Sequence, residues 1–349
     1  MRILHLIQEM PTGGAERIVG ALAVGATAAG HQVAVASAGG ELLRELDVPS
    51  FPLPRLRQRA SAVPRAALAA SQAIRSWSPD VVHCHNPGMA AITSLATLRG
   101  RRVPALVSVH GVREADWERA ARVLSLAGLP IVACGPGVAE ALTEHGITAS
   151  QTILNGVAAA PTAATSLSAA LDAPIKAPVV VSVGRLVEQK NHSLAIRAIA
   201  RIPEASLVIL GEGPARPELE ELVRVEGVAD RVLLPGVRQD ARSLMGAADA
   251  ILFTSHWEGL SLAALEALAS GRPVVAVAAR GLTELLTDGE NALLVASDDP
   301  ELVAEATRRV LLDEGLATRL GEAGRRLAAQ YSEEEMVSRY LELYGRLAT

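Results

Sequence analysis

The sequence predicts an α/β protein with two doubly wound, Rossmann-like domains, each built on a parallel sheet. Its 349 residues exceed one ordinary core and fit two domains. Half of the residues are hydrophobic but only 2% are aromatic, so Ala, Val, Leu and Ile must fill the cores. Short Val- and Ile-rich runs alternate with longer stretches of helical period, which is typical of parallel strands covered by helices on both faces.

The same pattern occurs in both halves of the chain, separated by a segment without core periodicity. In the first half, the predicted strands cover residues 2–7, 33–37, 81–85, 105–110, 131–134 and 152–154. Residues 158–178 are rich in Pro, Ala, Thr and Ser, and we interpret them as a linker. In the second half, the predicted strands cover residues 179–183, 207–210, 232–234, 250–253, 274–277 and 292–295.

Composition narrows the function classes. The formal net charge of −5 argues against a nucleic-acid partner, because such proteins need a basic surface to neutralise phosphates. Cys84 and Cys134 lie in apolar runs and are predicted to be buried free thiols in a reducing compartment. The N-terminal run is predicted to be a first strand, not a signal peptide, and no apolar stretch has the length of a membrane span. We therefore expect a soluble, cytoplasmic protein.

Polar residues cluster where the predicted strands stop. In doubly wound sheets ligands bind beyond the carboxyl ends of the strands. The residues at these ends are Gly13, Gly14, His83, His85, His110, Asn155, Gly184, Arg185, Gly211, Gly213, Gly236, Ser255, Glu258 and Gly259. Two such edges facing each other would form an interdomain cleft.

The stretch VSVGRLVEQKN, residues 181–191, ends a strand at Gly184 and then places Arg185 and Lys190 before a helix. Two fixed cations at a strand end suit a diphosphate, because Arg grips oxygens in a bidentate fork and Lys supplies a compact charge. A solvated pair at a helix start is the alternative. Lys190 is one of only two lysines, which favours the ligand interpretation.

The stretch HWEGLSLAALEAL, residues 256–268, carries Glu258 and Glu266 eight positions apart. Gly259 lets the backbone approach a ligand, and the N–H groups of Leu260, Ser261 and Leu262 would open a helix whose positive end favours a phosphate. Eight residues of helix span about 12 Å, so the two carboxylates could bind hydroxyls at both ends of one ligand. The alternative is that Glu258 caps the helix and Glu266 pairs with an arginine.

Two N-terminal motifs are less specific. EMPTGGAER places Gly13 and Gly14 after the first strand and Glu16 in the first turn of a helix, but it lacks the spacing of a dinucleotide or P-loop motif. VVHCH places His83 and His85 on one face of a strand end. With His110 they could ligate zinc, although no acidic fourth ligand accompanies them, so we predict no metal and interpret His110 as a polar group in the cleft.

Taken together, the motifs resemble one enzyme family. GGAER, VSVGRL with QKN, LGEGP, LLPG and EGLSLAALEALASGRPVVA, in this order, resemble a bacterial, retaining GT-B glycosyltransferase of family 4, also termed group 1, marked by two glutamates with seven residues between them. The resemblance implies an N-terminal acceptor domain over residues 1–157, a donor domain over 179–331, and a final helix over 332–349 that crosses back to the N-terminal domain. It implies a nucleotide-sugar donor and no required cofactor. A UDP-sugar is expected, because uridine is the commonest base in the family.

The resemblance also implies a role for each motif residue. Arg185 and Lys190, after Gly184, would hold the diphosphate, Glu266 the ribose hydroxyls and Glu258 the hydroxyls of the transferred sugar. His110 would contact the donor sugar. The residues implied to border the phosphates or the base are Gly13, Gly14, Gly236, Val237, Gly259, Leu260, Ser261 and Leu262.

Several alternatives stay open at this stage. A nucleotide-sugar epimerase or hydrolase would use a similar donor site, and a non-catalytic binding subunit would need fewer of the four charged residues. The acceptor could be a sugar, a lipid-linked sugar or a small molecule. Residues 53–67 carry Arg55, Arg57, Arg59 and Arg65 beside leucines and could contact the inner membrane face peripherally, although a solvated loop is equally compatible with them.

Overall fold

A computed structural model of the chain describes residues 1–11, 13–56, 62–98, 102–164 and 166–348. The chain forms two compact units. The first contains Met1–Gly156 together with Glu333–Thr349, and the second contains Val157–Ser332.

The first unit is built on a seven-stranded parallel sheet in the order β3-β2-β1-β4-β5-β6-β7. Its strands are β1 (Arg2–Leu6), β2 (Gln32–Ser37), β3 (Ser50–Pro52), β4 (Val81–Cys84), β5 (Ala105–Val109), β6 (Ile131–Ala133) and β7 (Gln151–Thr152). Its helices are α1 (Gly14–Ala28), α2 (Glu41–Glu45), α3 (Val63–Trp77), α4 (Pro87–Leu98), α5 (Trp117–Ala127) and α6 (Pro136–Glu144). The strand order reverses between β1 and β4, so this is the switch point of the sheet.

The second unit repeats this plan with a six-stranded parallel sheet in the order β10-β9-β8-β11-β12-β13. Its strands are β8 (Val179–Val183), β9 (Ser206–Leu210), β10 (Val232–Gly236), β11 (Ala250–Phe253), β12 (Val274–Val277) and β13 (Leu293–Val295). Its helices are α7 (Leu167–Leu171), α8 (His192–Ala200), α9 (Arg216–Val225), α10 (Ala241–Gly246), α11 (Leu262–Ser270), α12 (Pro300–Leu312) and α13 (Glu314–Ala328). Its switch point lies between β8 and β11.

The last helix, α14 (Glu333–Ala348), belongs to the first unit, where it packs against α1. Its period places Met336, Tyr340 and Tyr344 on one face, and all three are buried. Gly25 on α1 allows the close approach, since a Cβ there would lie 2.7 Å from a methyl carbon of Val337. Two of the three tyrosines of the chain are thus buried in the first unit.

The predicted fold class, two α/β domains with parallel sheets, is confirmed. The sequence prediction omitted β3, because its three residues, of which Ser50 and Pro52 are exposed, give no apolar run. Residues 158–178, which we interpreted as a linker, contain the short helix α7, capped by the hydroxyl of Ser166. Cys84 and Cys134 are free and buried, as predicted. Burial raises the pKa of the Cys84 thiol to about 12.

None of the helices in the described ranges has the length and apolar character needed to cross a membrane. In the basic segment of residues 53–67, Arg57 and Arg59 lie outside the described residues. Arg55 is exposed and pairs with Glu9 at 3.0 Å, and Arg65 is exposed on α3. Peripheral membrane contact through this segment stays a prediction.

Candidate functional site

The switch point of the second unit brings together two of the predicted residues. Lys190 ends a short 3-10 helix, Glu188–Lys190, that follows β8, and Glu258 follows β11. The ammonium of Lys190 donates to Oε1 of Glu258 at 2.5 Å, and the hydroxyl of Ser255 donates to the same oxygen at 2.6 Å. The side chains of Lys190 and Glu258 are 13% and 6% exposed. A buried ion pair therefore lies at the edge where doubly wound sheets bind ligands.

Glycines pack the loops of this edge closely. Gly184 has a φ of 155°, and a Cβ on it would meet the Lys190 side chain at 3.2 Å. Gly211 has a φ of 156°, and a Cβ there would lie 1.9 Å from the Gly184 carbonyl oxygen. Gly281 has a φ of 83°, and its Cβ would lie 2.3 Å from the carbonyl oxygen of Glu258. Side chains at Gly211 or Gly281 would thus displace the backbone that carries Arg185 or Glu258.

The helix start after Glu258 differs in detail from the sequence prediction. Helix α11 begins at Leu262, and its N-cap is Ser261, whose hydroxyl accepts from the N–H of Ala264. Leu260 therefore precedes the cap. The alternative in which Glu258 caps the helix is wrong, because serine occupies that position and Glu258 is engaged by Lys190. Gly259 and Leu260 form the loop between the ion pair and the positive end of the helix.

Glu266 is the fifth residue of α11 and faces an arginine. Its Oε1 lies 3.8 Å from Nε of Arg242 on α10, and the two side chains are 13% and 25% exposed. Arg242 also donates to the carbonyls of Ala158 and Ala159. The alternative in which Glu266 pairs with an arginine agrees with this contact. A role in ribose binding stays a proposal.

The remaining predicted residues of the second unit follow β8 or lie at the end of β10. Arg185 is exposed, and within the described ranges its guanidinium has no recorded hydrogen bond or ion pair. Gly236 ends β10 with a φ of 84°, and Val237 after it is 46% exposed. Beneath Lys190, burial and the charge of that lysine lower the pKa of His192 to about 4.

In the first unit, a pocket of about 310 Å³ lies at the carboxyl edge of the sheet. Its lining residues are Ile7, Gln8, Glu9, Pro11, Ala15, Glu16, His85, Asn86, Pro87, His110 and Gly111. Gly13 is the N-cap of α1, which begins at Gly14 as predicted. The Glu16 carboxylate folds back over Gly13, where a Cβ would lie 2.2 Å from Oε2. This carboxylate favourably offsets the positive end of α1.

Behind this pocket is a buried network that sequence analysis found only in part. His5 on β1 and His83 on β4 are register partners across the switch point. Nδ1 of His5 lies 2.9 Å from Nε2 of His85, and Nδ1 of His85 lies 3.1 Å from Nε2 of His110. His83 contacts the Tyr344 hydroxyl and the Ser108 hydroxyl, each at 2.7 Å. One chain of imidazoles thus leads from the pocket to His5, and a second group of hydrogen bonds joins His83 to α14.

Burial keeps these imidazoles neutral. It lowers the pKa of His5 to about 3 and that of His110 to about 4. Burial and the neighbouring histidines hold the pKa values of His83 and His85 well below their usual range. His5, His83 and His85 place one ring nitrogen each within 4.8 Å of one another, a spacing that could hold a metal ion. However, both ring nitrogens of His83 and His85 are engaged by other side chains.

Several of these residues were missed because their signal is weak. His5 and Ser108 are single polar residues inside apolar strands, which is the one local sign that they are hydrogen-bonded. In the sequence, Tyr340 and Tyr344 are indistinguishable from other residues on the apolar face of a helix. Nothing near Arg242 in the sequence relates it to Glu266, since that contact depends on how α10 packs on α11.

The chemistry of the second unit suits an anionic ligand with hydroxyls. An exposed guanidinium, a buried ammonium and a helix N-terminus follow strands at this edge of the sheet, and all three suit phosphate groups. Two carboxylates follow the same edge and suit the hydroxyls of a sugar. Two doubly wound parallel domains, one of them with such a group of residues at its switch point, are the features of the GT-B fold.

Comparison with known protein families agrees with this fold. The family described as "Glycosyl transferases group 1" matches residues 163–327, and the family described as "Glycosyltransferase Family 4" matches residues 12–160. The chain therefore belongs to the group 1, family 4 glycosyltransferases.

Individual relatives support this assignment. The chain is 36% identical over 214 residues to the lipopolysaccharide core biosynthesis glycosyltransferase LpsE of Rhizobium meliloti, covering 61% of this chain and 63% of the relative. It is 34% identical to the D-inositol 3-phosphate glycosyltransferase of Xylanimonas cellulosilytica, covering 53% and 46%. The matched segments thus span about half to two thirds of these relatives. Anabaena Alr3699/HepE, solved in complex with UDP-glucose, has the same fold, with a TM-score of 0.84, 22% identity and coverage of 99% and 100%.

Proposed function

We propose that the protein is a retaining glycosyltransferase that moves a sugar from a UDP-sugar to a hydroxyl acceptor in the synthesis of a bacterial polysaccharide, glycolipid or glycoconjugate. The observation that carries the proposal is the buried Lys190–Glu258 pair at the switch point of the second unit, where the exposed Arg185 also follows β8. The names of the relatives support the reaction class and the pathway, and the UDP-glucose complex of HepE supports the donor.

Each charged group has a part in the proposed reaction. Lys190 and Arg185 stabilise the negative charge that builds on the leaving diphosphate. Both recorded hydrogen bonds to Glu258 end on Oε1, and we assign Oε2 to a hydroxyl of the transferred sugar. Glu266 binds the ribose hydroxyls. His110 contacts the transferred sugar.

No protein nucleophile is assigned, so there is no second displacement to restore the configuration, and retention has to come from front-face attack. The acceptor hydroxyl attacks from the face that the diphosphate leaves, and the leaving phosphate takes its proton. The C–O bond to the diphosphate breaks while the C–O bond to the acceptor forms, so the anomeric configuration is retained. No metal or other cofactor has a part in these steps.

A thermal-shift panel of nucleotide sugars tests the donor. A ligand that binds the native state raises its apparent stability, by about 2.7 kcal/mol at a hundredfold excess over Kd. We expect UDP-sugars to raise the midpoint more than ADP- or GDP-sugars. A larger rise with another base would replace UDP, and no rise with any nucleotide sugar would contradict the proposal.

Product analysis then separates the enzyme classes. With the donor identified, UDP release that requires an added acceptor favours a transferase, whereas release without one favours a hydrolase. An altered sugar on the recovered nucleotide would indicate an epimerase. An α-linked product from an α-linked donor, measured by proton NMR, is the expected result for retention.

Membrane contact is a separate part of the proposal. Arg55 and Arg65 are exposed and would attract an anionic leaflet, by about 1 kcal/mol per basic residue near the surface. Co-sedimentation with anionic vesicles, but not with neutral ones, is the expected outcome. Equal partition into both kinds of vesicle would remove membrane contact and leave the donor site unaffected.

A further inference from the structure

A chain of three imidazoles runs from the pocket of the first unit into its core. His110 lines the pocket, and its Nε2 lies 3.1 Å from Nδ1 of His85. Nε2 of His85 lies 2.9 Å from Nδ1 of His5, which is fully buried on β1. The proposed function uses His110 alone and leaves the two inner histidines without a role.

The hydrogen bonds between the three imidazoles restrict which ring nitrogens carry protons. All three rings are neutral, because burial lowers the pKa of each. A neutral imidazole has one N–H and one acceptor nitrogen. Each of the two hydrogen bonds needs one donor and one acceptor, so the protons occupy either Nδ1 of all three rings or Nε2 of all three.

The outer end of the chain favours Nδ1. Nδ1 of His110 and Oδ1 of Asn155 are both buried, and neither has a partner of full hydrogen-bond geometry among the described residues. The Asn155 side chain lies close enough to His110 to raise the pKa of that ring against the effect of burial. An amide oxygen only accepts, so a proton on Nδ1 of His110 is the arrangement that satisfies Asn155.

The inner end agrees. Nε2 of His5 is buried and has no partner in the part of the chain that the structure describes. A buried N–H without an acceptor is rarer in proteins than an unused acceptor atom. With protons on Nδ1 throughout, this nitrogen carries a bare lone pair, and the outermost N–H of the three rings is the one beside the Asn155 side chain.

We propose that His85 and His5 are positioning residues for His110, which they hold with its proton on Nδ1 and with the lone pair of Nε2 occupied by the N–H of His85. The proposal rests on the proposed function for its catalytic consequence: with the lone pair of Nε2 occupied and its one N–H directed at Asn155, His110 contacts the donor sugar as a neutral ring and does not serve as a general base. The structural part, the single tautomer, stands independently of any activity.

Nitrogen NMR of the full-length protein tests the tautomer directly. In protein labelled with ¹⁵N histidine, two-bond proton–nitrogen correlations distinguish the Nδ1–H form from the Nε2–H form of each ring. Comparison with His110→Gln identifies the His110 signals. We expect the Nδ1–H pattern, and an Nε2–H pattern for His110 would overturn the proposal.

Variants of His85 test the coupling. His85→Phe keeps a ring but removes the donor, so His110 should shift toward the Nε2–H form that prevails in free histidine. His85→Asn keeps an amide donor near the position of Nδ1 and should restore the Nδ1–H form. With an active nucleotide sugar and acceptor, His85→Phe should lower kcat by about 10-fold and leave UDP affinity unchanged. This decrease is smaller than the one caused by the loss of a hydrogen-bond donor to the reacting atoms. His85→Asn should recover most of the lost kcat.

Two controls keep the outcomes distinct. Circular dichroism shows whether each variant folds, and His5→Phe breaks the chain one ring further from the pocket if His85→Phe does not fold. An unchanged His110 pattern in a folded His85→Phe or His5→Phe variant would overturn the positioning role. If the wild type transfers no sugar from any nucleotide sugar, the proposed function fails, while the NMR result still decides the tautomer.

Discussion

Nζ of Lys190 lies 2.5 Å from Oε1 of Glu258, although 68 positions separate the two residues in the chain. The pair forms because β8 and β11 are neighbours at the switch point and each residue follows one of these strands. A buried ion pair contributes little net stability, since the loss of hydration offsets the attraction. Its position at the edge where doubly wound sheets bind ligands is the reason why we propose a functional role for the pair.

Replacing Lys190 with Ala should abolish most turnover. In the proposed reaction the ammonium is a fixed charge for the leaving diphosphate, and the loss of one such group costs about 10²- to 10³-fold in kcat. Steady-state kinetics with a UDP-sugar measures the effect. Lys176, the other lysine of the chain, is the matched control, and Lys176→Ala should retain wild-type kcat. A Lys190→Ala enzyme with wild-type kcat would contradict the assignment.

A double-mutant cycle should separate the structural part of the pair from its chemistry. Lys190→Ala leaves Glu258 with the Ser255 hydroxyl and should lower the free energy of unfolding by about 3 kcal/mol. The double change to Ala at both positions should cost less than the sum of the single changes, by about 1 kcal/mol or more. Urea unfolding without ligand measures each corner.

The exposed Arg224–Glu221 pair of α9 is the control for that cycle. Its side chains are 72% and 56% exposed, so its coupling should stay below about 1 kcal/mol. Equal coupling in the two pairs would show that burial does not strengthen the contact of Lys190 with Glu258.

Sequence periodicity was sufficient for most of the fold because each apolar run must be buried in a parallel sheet. It missed β3, where Pro52 and half-exposed neighbours give no such run. It located Lys190 and Glu258 as strand-end residues but could not pair them, since the pairing depends on strand order. It predicted a helix near Leu260 and missed the serine cap, which is decided by the conformation of one residue, Ser261.

The histidine network shows a second limit. His83, His85 and His110 were visible as polar residues at strand ends. His5 joins them only through the register of β1 with β4, and Tyr344 through the packing of α14. Such long-range contacts have no local signature in a single sequence.

Replacements of the two glutamates should affect different parts of the donor. Glu266→Gln should weaken UDP itself, because the proposed contact is to ribose. Glu258→Gln should leave UDP affinity nearly unchanged and raise KM or lower kcat for the UDP-sugar. Loss of a hydrogen bond to a charged group corresponds to about 1.5 to 3 kcal/mol.

Calorimetry with UDP, together with kinetics with the UDP-sugar, distinguishes the two changes. Glu305→Gln, an exposed residue on α12, is the control and should change neither quantity. The opposite order of effects on UDP affinity would exchange the roles of Glu258 and Glu266.

Gly281→Ala should be far more damaging than Gly227→Ala. Both glycines have positive φ, 83° for Gly281 and 69° for Gly227, so each change costs about 1 to 2 kcal/mol of backbone strain. Only Gly281 has a further penalty, because its new Cβ would lie 2.3 Å from the carbonyl oxygen of Glu258, whereas Gly227 has nothing within 4 Å. The melting temperature and kcat should both be lower for Gly281→Ala than for the wild type. Equal melting points would show that the loop relaxes freely.

Acid should destabilise the first unit more steeply than the second. Folding lowers the pKa of His5 to about 3 and of His110 to about 4, and holds those of His83 and His85 well below the usual 6.5. Below pH 6.5 the unfolded chain binds protons that the folded unit does not. The free energy of unfolding therefore falls as the pH is lowered, by about 1.4 kcal/mol per pH unit for each such histidine, until the pH reaches the pKa of the folded state.

The second unit contains one comparable residue, His192, with a pKa lowered to about 4. Hydrogen exchange between pH 7 and pH 5 should thus show protection lost first in β1, β4 and β5. His5→Phe removes one titrating group and should reduce the slope of unfolding free energy against pH by about 1.4 kcal/mol per pH unit. The same slope in this variant and in the wild type, or protection lost first around β8 and β11, would contradict the assignment of acid sensitivity to the buried imidazoles.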